Sequence, residues 1–155
     1  MFPEPQPLLS KAPVILGLDG GQKMSKSRNN AIMLAASEDE TASLIKKAKT
    51  NAERRITFDP ASRPEVSNLL LLTSLCTGES PEAIADKIGD GGGGKLKATL
   101  TESLNEYLRP LRAKRRELEA NPDHIRSVLQ AGIQRARQAG VETLDEVRHV
   151  MNMDV

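Results

Sequence analysis

The sequence predicts a mainly α-helical fold, a bundle of about six helices behind an irregular N-terminal arm. Three observations predict it. From residue 37 onward, apolar residues recur at spacings of three and four, the period of one helix face. Helix-start signals of the Ser/Thr-x-x-Glu and Ser-Pro types precede those stretches. The third is composition: 155 residues, 38% hydrophobic, with two Phe, one Tyr and no Trp, so the core must be aliphatic.

Residues 1–22 differ from the rest. Pro3, Pro5, Pro7 and Pro13 crowd the arm, and Val14-Ile15-Leu16 is a short β-branched run ended by Gly17. Asp19-Gly20-Gly21 is a turn signal. The arm reads as extended chain with a short strand, then a loop. So short a strand needs partners that this sequence does not obviously supply.

Ser37-Glu38-Asp39-Glu40 has capping-box spacing and opens a helix with Leu44, Ile45 and Ala48 on one face. Residues 50–61 read as a loop. Ser62-Arg63-Pro64-Glu65 reads as a second capping box. It opens a helix through Val66, Leu69, Leu70, Leu71, Leu72 and Leu75 that is apolar nearly all round and stops at Gly78. Ser80-Pro81-Glu82 starts a short helix with Ile84 and Ile88 inward and Gly89 as its stop. Gly91 to Gly94 reads as a plain flexible linker, since no Gly-Lys-Ser/Thr follows. A long helix runs through Leu96, Leu100, Leu104 and Leu108, and Pro110 should kink or divide it, with a second segment to about Ala120. Asn121-Pro122 begins the next, with Ile125, Val128, Leu129 and Ile133 buried and Gly140 ending it. Thr143-Leu144-Asp145-Glu146 caps a last short helix to about Met151.

Composition excludes several functions. No apolar run approaches the ~20 residues of a membrane helix. The N-terminus lacks the basic and apolar regions of a secretory signal. The lone Cys76, read as a small hydrophobe in an apolar helix, excludes a disulfide framework or a cysteine-cluster metal site. His124 and His149 read as surface or helix-end residues, so no metal site is expected. A soluble, cytoplasmic protein is the expectation. With a formal net charge of +1, any nucleic-acid binding must come from a local patch.

Two stretches carry chemistry. Lys23-Met24-Ser25-Lys26-Ser27 follows the Asp-Gly-Gly turn, placing two ammonium groups and two hydroxyls on a glycine-flanked loop that can fold over a polyphosphate. Lysines that grip the β- and γ-phosphates as pyrophosphate leaves stabilise the transition state more than the ground state. The bland reading is a solvated basic turn. Arg109, Arg112, Lys114, Arg115 and Arg116 form a basic cluster among Glu106, Glu117 and Glu119, with Arg112, Arg115 and Arg116 on one face. It is either a solvated face of ion pairs or a surface for RNA phosphates, with Arg126, Arg135 and Arg137 as additions. For stacking on RNA bases only Phe58 and Tyr107 are available outside the terminal Phe2.

Phe2-Pro3-Glu4-Pro5, Gly17-Leu18-Asp19-Gly20, Lys23 to Ser27 and Asn30-Ala31-Ile32 together resemble the second signature region of class I aminoacyl-tRNA synthetases, most closely those for tryptophan. The tyrosine enzymes are the nearest rival. The likeness continues through Arg63 to Leu70, Gly89 to Gly92, Leu104 to Pro110 and Thr143 to Val147. It implies a tryptophan–tRNA ligase activity with ATP, its Mg2+ carried by the nucleotide, as cofactor. Lys23 and Lys26 would grip the phosphates as catalytic residues, Ser25 and Ser27 would hold the loop or donate to phosphate, and Met24 would pack. Residues 1–36 would be the remnant of a nucleotide-binding α/β domain, and residues 37–155 an anticodon-binding-like bundle that meets tRNA through Arg112, Arg115 and Arg116. The family's first signature and its tryptophan pocket have no counterpart here, so the chain resembles the C-terminal portion of such an enzyme. Alone it is expected to be inactive. Tryptophan and ATP would be partners once an N-terminal half completes the site, and the complete enzyme could be a homodimer. The alternatives are a non-catalytic tRNA- or partner-binding module and an inactive truncated fragment.

Overall fold

The computed structural model describes residues 3–10 and 12–153, so Phe2 lies outside the described residues. Five α-helices are present among them: α1 (Glu38–Lys47), α2 (Pro64–Thr77), α3 (Pro81–Ile88), α4 (Gly92–Glu119) and α5 (Pro122–Val150). Two 3-10 turns, Lys26–Arg28 and Gly89–Gly91, complete the order. The mainly α fold class is therefore as the sequence predicts. The strand expected at Val14-Ile15-Leu16 is only a single antiparallel bridge, Leu16 to Lys23. Three residues without a neighbouring strand cannot propagate a ladder.

The chain divides into two compact units, residues 8–112 and residues 113–155 with 1–7. The core of the first unit is aliphatic. Ile45 and Ala48 come from α1 and its end, and Ile56 from the following loop. Val66, Leu69 and Leu70 come from α2, Ile84, Ala85 and Ile88 from α3, and Leu96 and Leu100 from α4. Leu18 from the arm joins them, and Phe58 and Leu104 pack against the cluster.

Local signals explain most element starts. The Ser37 hydroxyl accepts from the Glu40 N–H at 3.2 Å while the Glu40 carboxylate accepts from the Ser37 N–H at 2.8 Å. This is the capping box read in the sequence, and it holds the Glu40 carboxyl below its ordinary range, chiefly through the Ser37 N–H. Ser80 caps α3 and Asn121 caps α5 as expected.

The second capping box does not form. Arg63, not Ser62, stands at the N-cap of α2 and makes no side-chain cap bond. Ser62 instead donates its N–H to Asp59 Oδ1 at 3.0 Å, and Glu65 pairs with Lys49 at 3.0 Å. Proline at the first helical position supplies the start. Nor is α2 apolar all round in its burial: Ser67, Asn68 and Thr73 are buried, whereas Leu75 is exposed.

Gly91 to Gly94 are not a linker. Gly91 closes the second 3-10 turn and Gly92 to Gly94 open α4. The Gly92 N–H donates to the Arg54 carbonyl at 2.9 Å, and a Cβ on Gly93 would stand 2.9 Å from Thr50 Oγ1. Bare backbone here lets the start of α4 lie against the 50–56 loop.

Two expected breaks are absent. α4 continues through Pro110 to Glu119, and α5 continues through Gly140 to Val150 without a separate last helix. A helix-interior glycine costs only about 1 kcal/mol, which a long helix tolerates. Thr143 does not cap; its hydroxyl donates back to the Ala139 carbonyl at 2.9 Å. Ile125, Val128, Leu129 and Ile133, expected to be buried, are 37%, 53%, 61% and 51% exposed. Helical spacing puts them on one face but does not supply the surface that would cover it.

Candidate functional site

The loop that carries Lys23 to Ser27 is held by backbone and side-chain bonds on both sides. The Gly17 N–H donates to the Gln22 carbonyl at 3.0 Å, and the Met24 N–H to the Ile15 carbonyl at 2.9 Å. These bonds flank the Leu16–Lys23 bridge and close the turn. Asn68 of α2 clasps the backbone of Leu16, accepting from its N–H and donating to its carbonyl, each at 3.0 Å. The Lys49 N–H donates to the Leu18 carbonyl at 2.7 Å, so the segment just past α1 also holds the arm.

Within the loop, Ser25 lies in extended backbone immediately before the 3-10 turn, and Asn29 closes that turn in the left-handed region with φ 53°. Such turns are short because their hydrogen-bond geometry is poor. The Ser25 and Ser27 hydroxyls are 3.0 Å apart. Lys23, Lys26, Ser27 and Arg28 are exposed; Met24 and Ser25 are half-buried. An open recess is lined by Gln22, Lys23, Met24, Ser25, Ser27 and Arg28. Lys26 is outside that lining, whereas Arg28 is within it. Arg28 was missed in the sequence, where its only signal is its place directly after Ser27.

The loop is anchored through Asn30, which is buried. Its Oδ1 accepts from the Ser25 N–H at 2.8 Å, and its Nδ2 donates to Asp19 Oδ1 at 3.2 Å and Oδ2 at 3.3 Å. The Asp19 carboxyl is held below its ordinary range, most strongly by the Gly21 N–H and further by Asn30 and the Arg28 charge, against an opposing desolvation. A Cβ on Gly17 would come 2.0 Å from Asn30 Nδ2, so only glycine fits at that approach.

The basic cluster does not act as one group. Arg112 is half-buried and donates to the Ala36 carbonyl at 2.9 Å, Asn105 Oδ1 at 2.9 Å, Thr41 Oγ1 at 2.9 Å and the Ser37 carbonyl at 3.4 Å. Its guanidinium fastens α4 to the start of α1. Arg115 pairs with Glu119 at 2.7 Å and Lys114 with Glu117 at 2.7 Å, while Arg109 pairs with Glu106. Arg116 is exposed. Arg126 pairs with Asp123 at 2.7 Å. Exposed pairs of this kind are worth about 0–1 kcal/mol, so they would give way to a stronger anion. Tyr107 is exposed and Phe58 packs on the core.

Among the described residues no group of three or more His, Cys, Asp or Glu side chains gathers as a metal site. His124 lies in the first turn of α5 and His149 in its last. Cys76 is half-buried, and burial pushes its thiol pKa up. No helix among the described residues is long and apolar enough to cross a membrane.

The family model described as tRNA synthetases class I (W and Y) matches residues 1–109. The chain belongs to that family. Among curated relatives of this class I chain, the tryptophan–tRNA ligase of Thermosynechococcus vestitus is 36% identical over 149 residues, covering 93% of the chain and 45% of the relative. The chloroplastic/mitochondrial tryptophan–tRNA ligase of Arabidopsis thaliana is 33% identical over 156 residues, 97% of the chain and 38% of the relative. A crystal structure of tryptophanyl-tRNA synthetase from Campylobacter jejuni, complexed with ADP and tryptophan, aligns with TM-score 0.69 and 26% identity, covering 90% of this chain and 43% of that one. The class I chain thus spans less than half the length of these relatives.

Proposed function

We propose that this chain supplies the phosphate-gripping loop and the tRNA-facing helices of a tryptophan–tRNA ligase, as the C-terminal portion of that enzyme. The parent reaction is ATP-dependent activation of tryptophan with release of pyrophosphate, followed by acyl transfer to tRNA in the cytoplasm. The observation that carries the reading is the recess at residues 22–28, where an ammonium, a guanidinium and two hydroxyls surround one space on an anchored loop. Those groups suit the triphosphate of ATP, which would bring its own Mg2+. Lys23 and Lys26 neutralise the phosphate oxygens as charge builds on the leaving pyrophosphate, Ser25 and Ser27 donate to them, and Met24 packs beneath.

The work divides near residue 37. Residues 1–36 present the loop, and residues 37–155 form the anticodon-binding-like portion. Arg115 and Arg116 meet RNA phosphates there. Arg112 heads the same row and holds its start against α1. The complete enzyme would work as a homodimer that takes tryptophan and ATP.

Tryptophan-dependent pyrophosphate–ATP exchange tests this, with the chain alone and then mixed with a separately made N-terminal half of a related ligase. Activity in the mixture only is the expected result. Lys26→Ala should then lower the exchange rate by about 10²-fold with tryptophan affinity nearly unchanged. Equal losses in both would remove the transition-state role. A second reading, a non-catalytic tRNA-binding module, is supported by the exposed Arg115 and Arg116 of α4. It predicts silence in every mixture together with selective binding of tryptophan tRNA across a salt series.

A further inference from the structure

Asn30 is the one buried side chain of the loop whose hydrogen bonds the proposed chemistry does not use. It is 5% exposed. Its amide bridges two segments: the acceptor end takes the Ser25 N–H at 2.8 Å, and the donor end reaches both oxygens of Asp19. Its own carbonyl accepts the Leu18 N–H at 3.0 Å. One residue downstream of the loop therefore holds the centre of the loop and the turn before it. Ser25, the residue held, begins the 3-10 turn that carries Lys26, Ser27 and Arg28.

We propose that Asn30 is the positioning residue of the loop, fixing Ser25 against Asp19 so that Lys23, Ser25, Ser27 and Arg28 surround one recess. Its importance for catalysis rests on the phosphate reading above; the geometry stands apart from it. The position demands an acceptor facing an N–H and a donor facing a carboxylate. Asparagine meets both demands, and so does a protonated aspartic acid of the same shape. An ionised aspartate meets only the first and sets two carboxylates against each other, which raises the pKa of the pair. The charged groups around the pair are Arg28 from the loop, and Lys49 and Glu65, which meet beside Gly20.

This gives a test with opposite signs. In the wild-type full chain, Asp19 has a depressed pKa. Protection of the Ser25 amide from hydrogen exchange should hold at neutral pH and fall as pH drops through that depressed value. In Asn30→Asp, the Ser25 N–H keeps an acceptor, but the donor to Asp19 is lost and two carboxylates repel, which frees the Ser25 segment. Protection should be about tenfold lower at neutral pH, the size of the lost Asp19 bond. It should then rise as pH falls and the pair takes up a shared proton. Asp19→Asn, at an exposed position, should abolish the acid loss and give a flat profile; it keeps the test open if the Asn30 variant does not fold. A profile for Asn30→Asp or Asp19→Asn that parallels wild type overturns the proposal. Inorganic tripolyphosphate, titrated at neutral pH, separates the two readings. Binding by wild type that weakens about tenfold in Asn30→Asp supports both. Absence of wild-type binding with the inverted profile intact overturns the phosphate reading and upholds the positioning role. Equal binding by wild type and Asn30→Asp overturns the positioning role.

Discussion

Residues 8–112 and helix α5 are built from the same kind of sequence, yet their apolar residues meet different fates. In the first region Leu69, Leu70, Leu96 and Leu100 are at most 1% exposed. In α5 no residue is buried, and Leu129 and Val141 are 61% and 57% exposed. Both helical sets show three- and four-residue spacing. The difference teaches that periodicity specifies a face, whereas burial requires a second surface that the period does not encode. In the first region that surface comes mostly from the other helices, with the loop and arm residues Ile56 and Leu18 completing it.

The contrast can be broken most directly by truncation. Leu70→Ala should cost about 3 kcal/mol in urea unfolding, because a filled core site becomes a cavity. Leu129→Ala should cost no more than about 0.5 kcal/mol. Similar losses at the two positions would mean that the α5 face is covered in solution.

The arginines sharpen the same contrast at a smaller scale. Arg112→Ala should cost about 2 kcal/mol, since four oxygens lose a charged donor. Arg115→Ala, which removes an exposed pair with Glu119, should cost about 0–1 kcal/mol. Unfolding midpoints of the two variants distinguish a structural arginine from a solvated one.

Glycines invert the sign. Gly93→Ala should destabilise by about 1 kcal/mol or more, because the new methyl meets Thr50. Gly140→Ala has nothing within 4 Å to meet and should stabilise α5 by about 1 kcal/mol through helix propensity. Thermal unfolding of each variant reads the sign directly.

The smallest effect is pH dependence. Asp19, Glu40, Asp59 and Glu65, all within residues 8–112, have depressed carboxyl pKa values. Their contribution is complete above the ordinary carboxylate range and is lost as pH falls through the depressed folded values. The urea midpoint of this region should therefore decline on acidification, and Glu40→Gln should reduce the decline.

Signals confined to three or four residues were legible in the sequence. Ser37 with Glu40, Ser80 before Pro81, and Asn121 before Pro122 all start helices as read, because a cap is satisfied by its own first turn. Ser62 failed because Asp59, three residues upstream, took its N–H into a competing turn. The glycine run was misread because its partner, Thr50, is distant in sequence. The candidate site divides the same way. Lys23 to Ser27 was evident from residue types, but Arg28 entered through the shape of the recess, and Arg112 proved to be engaged with Ala36, Ser37 and Thr41.

The sequence by itself determined the mainly helical class, three of the helix starts, the aliphatic core residues of α3 and α4, and the basic loop that marks the family. Each depends on neighbours along the chain, where backbone geometry fixes the distances. Tertiary structure alone decided that Gly92 and Gly93 pack rather than link, that Arg112 fastens rather than projects, that Asn30 holds Ser25 to Asp19, and that the apolar residues of α5 stay exposed. Each of these depends on the surface that faces a residue, and that surface exists only once distant segments have come together.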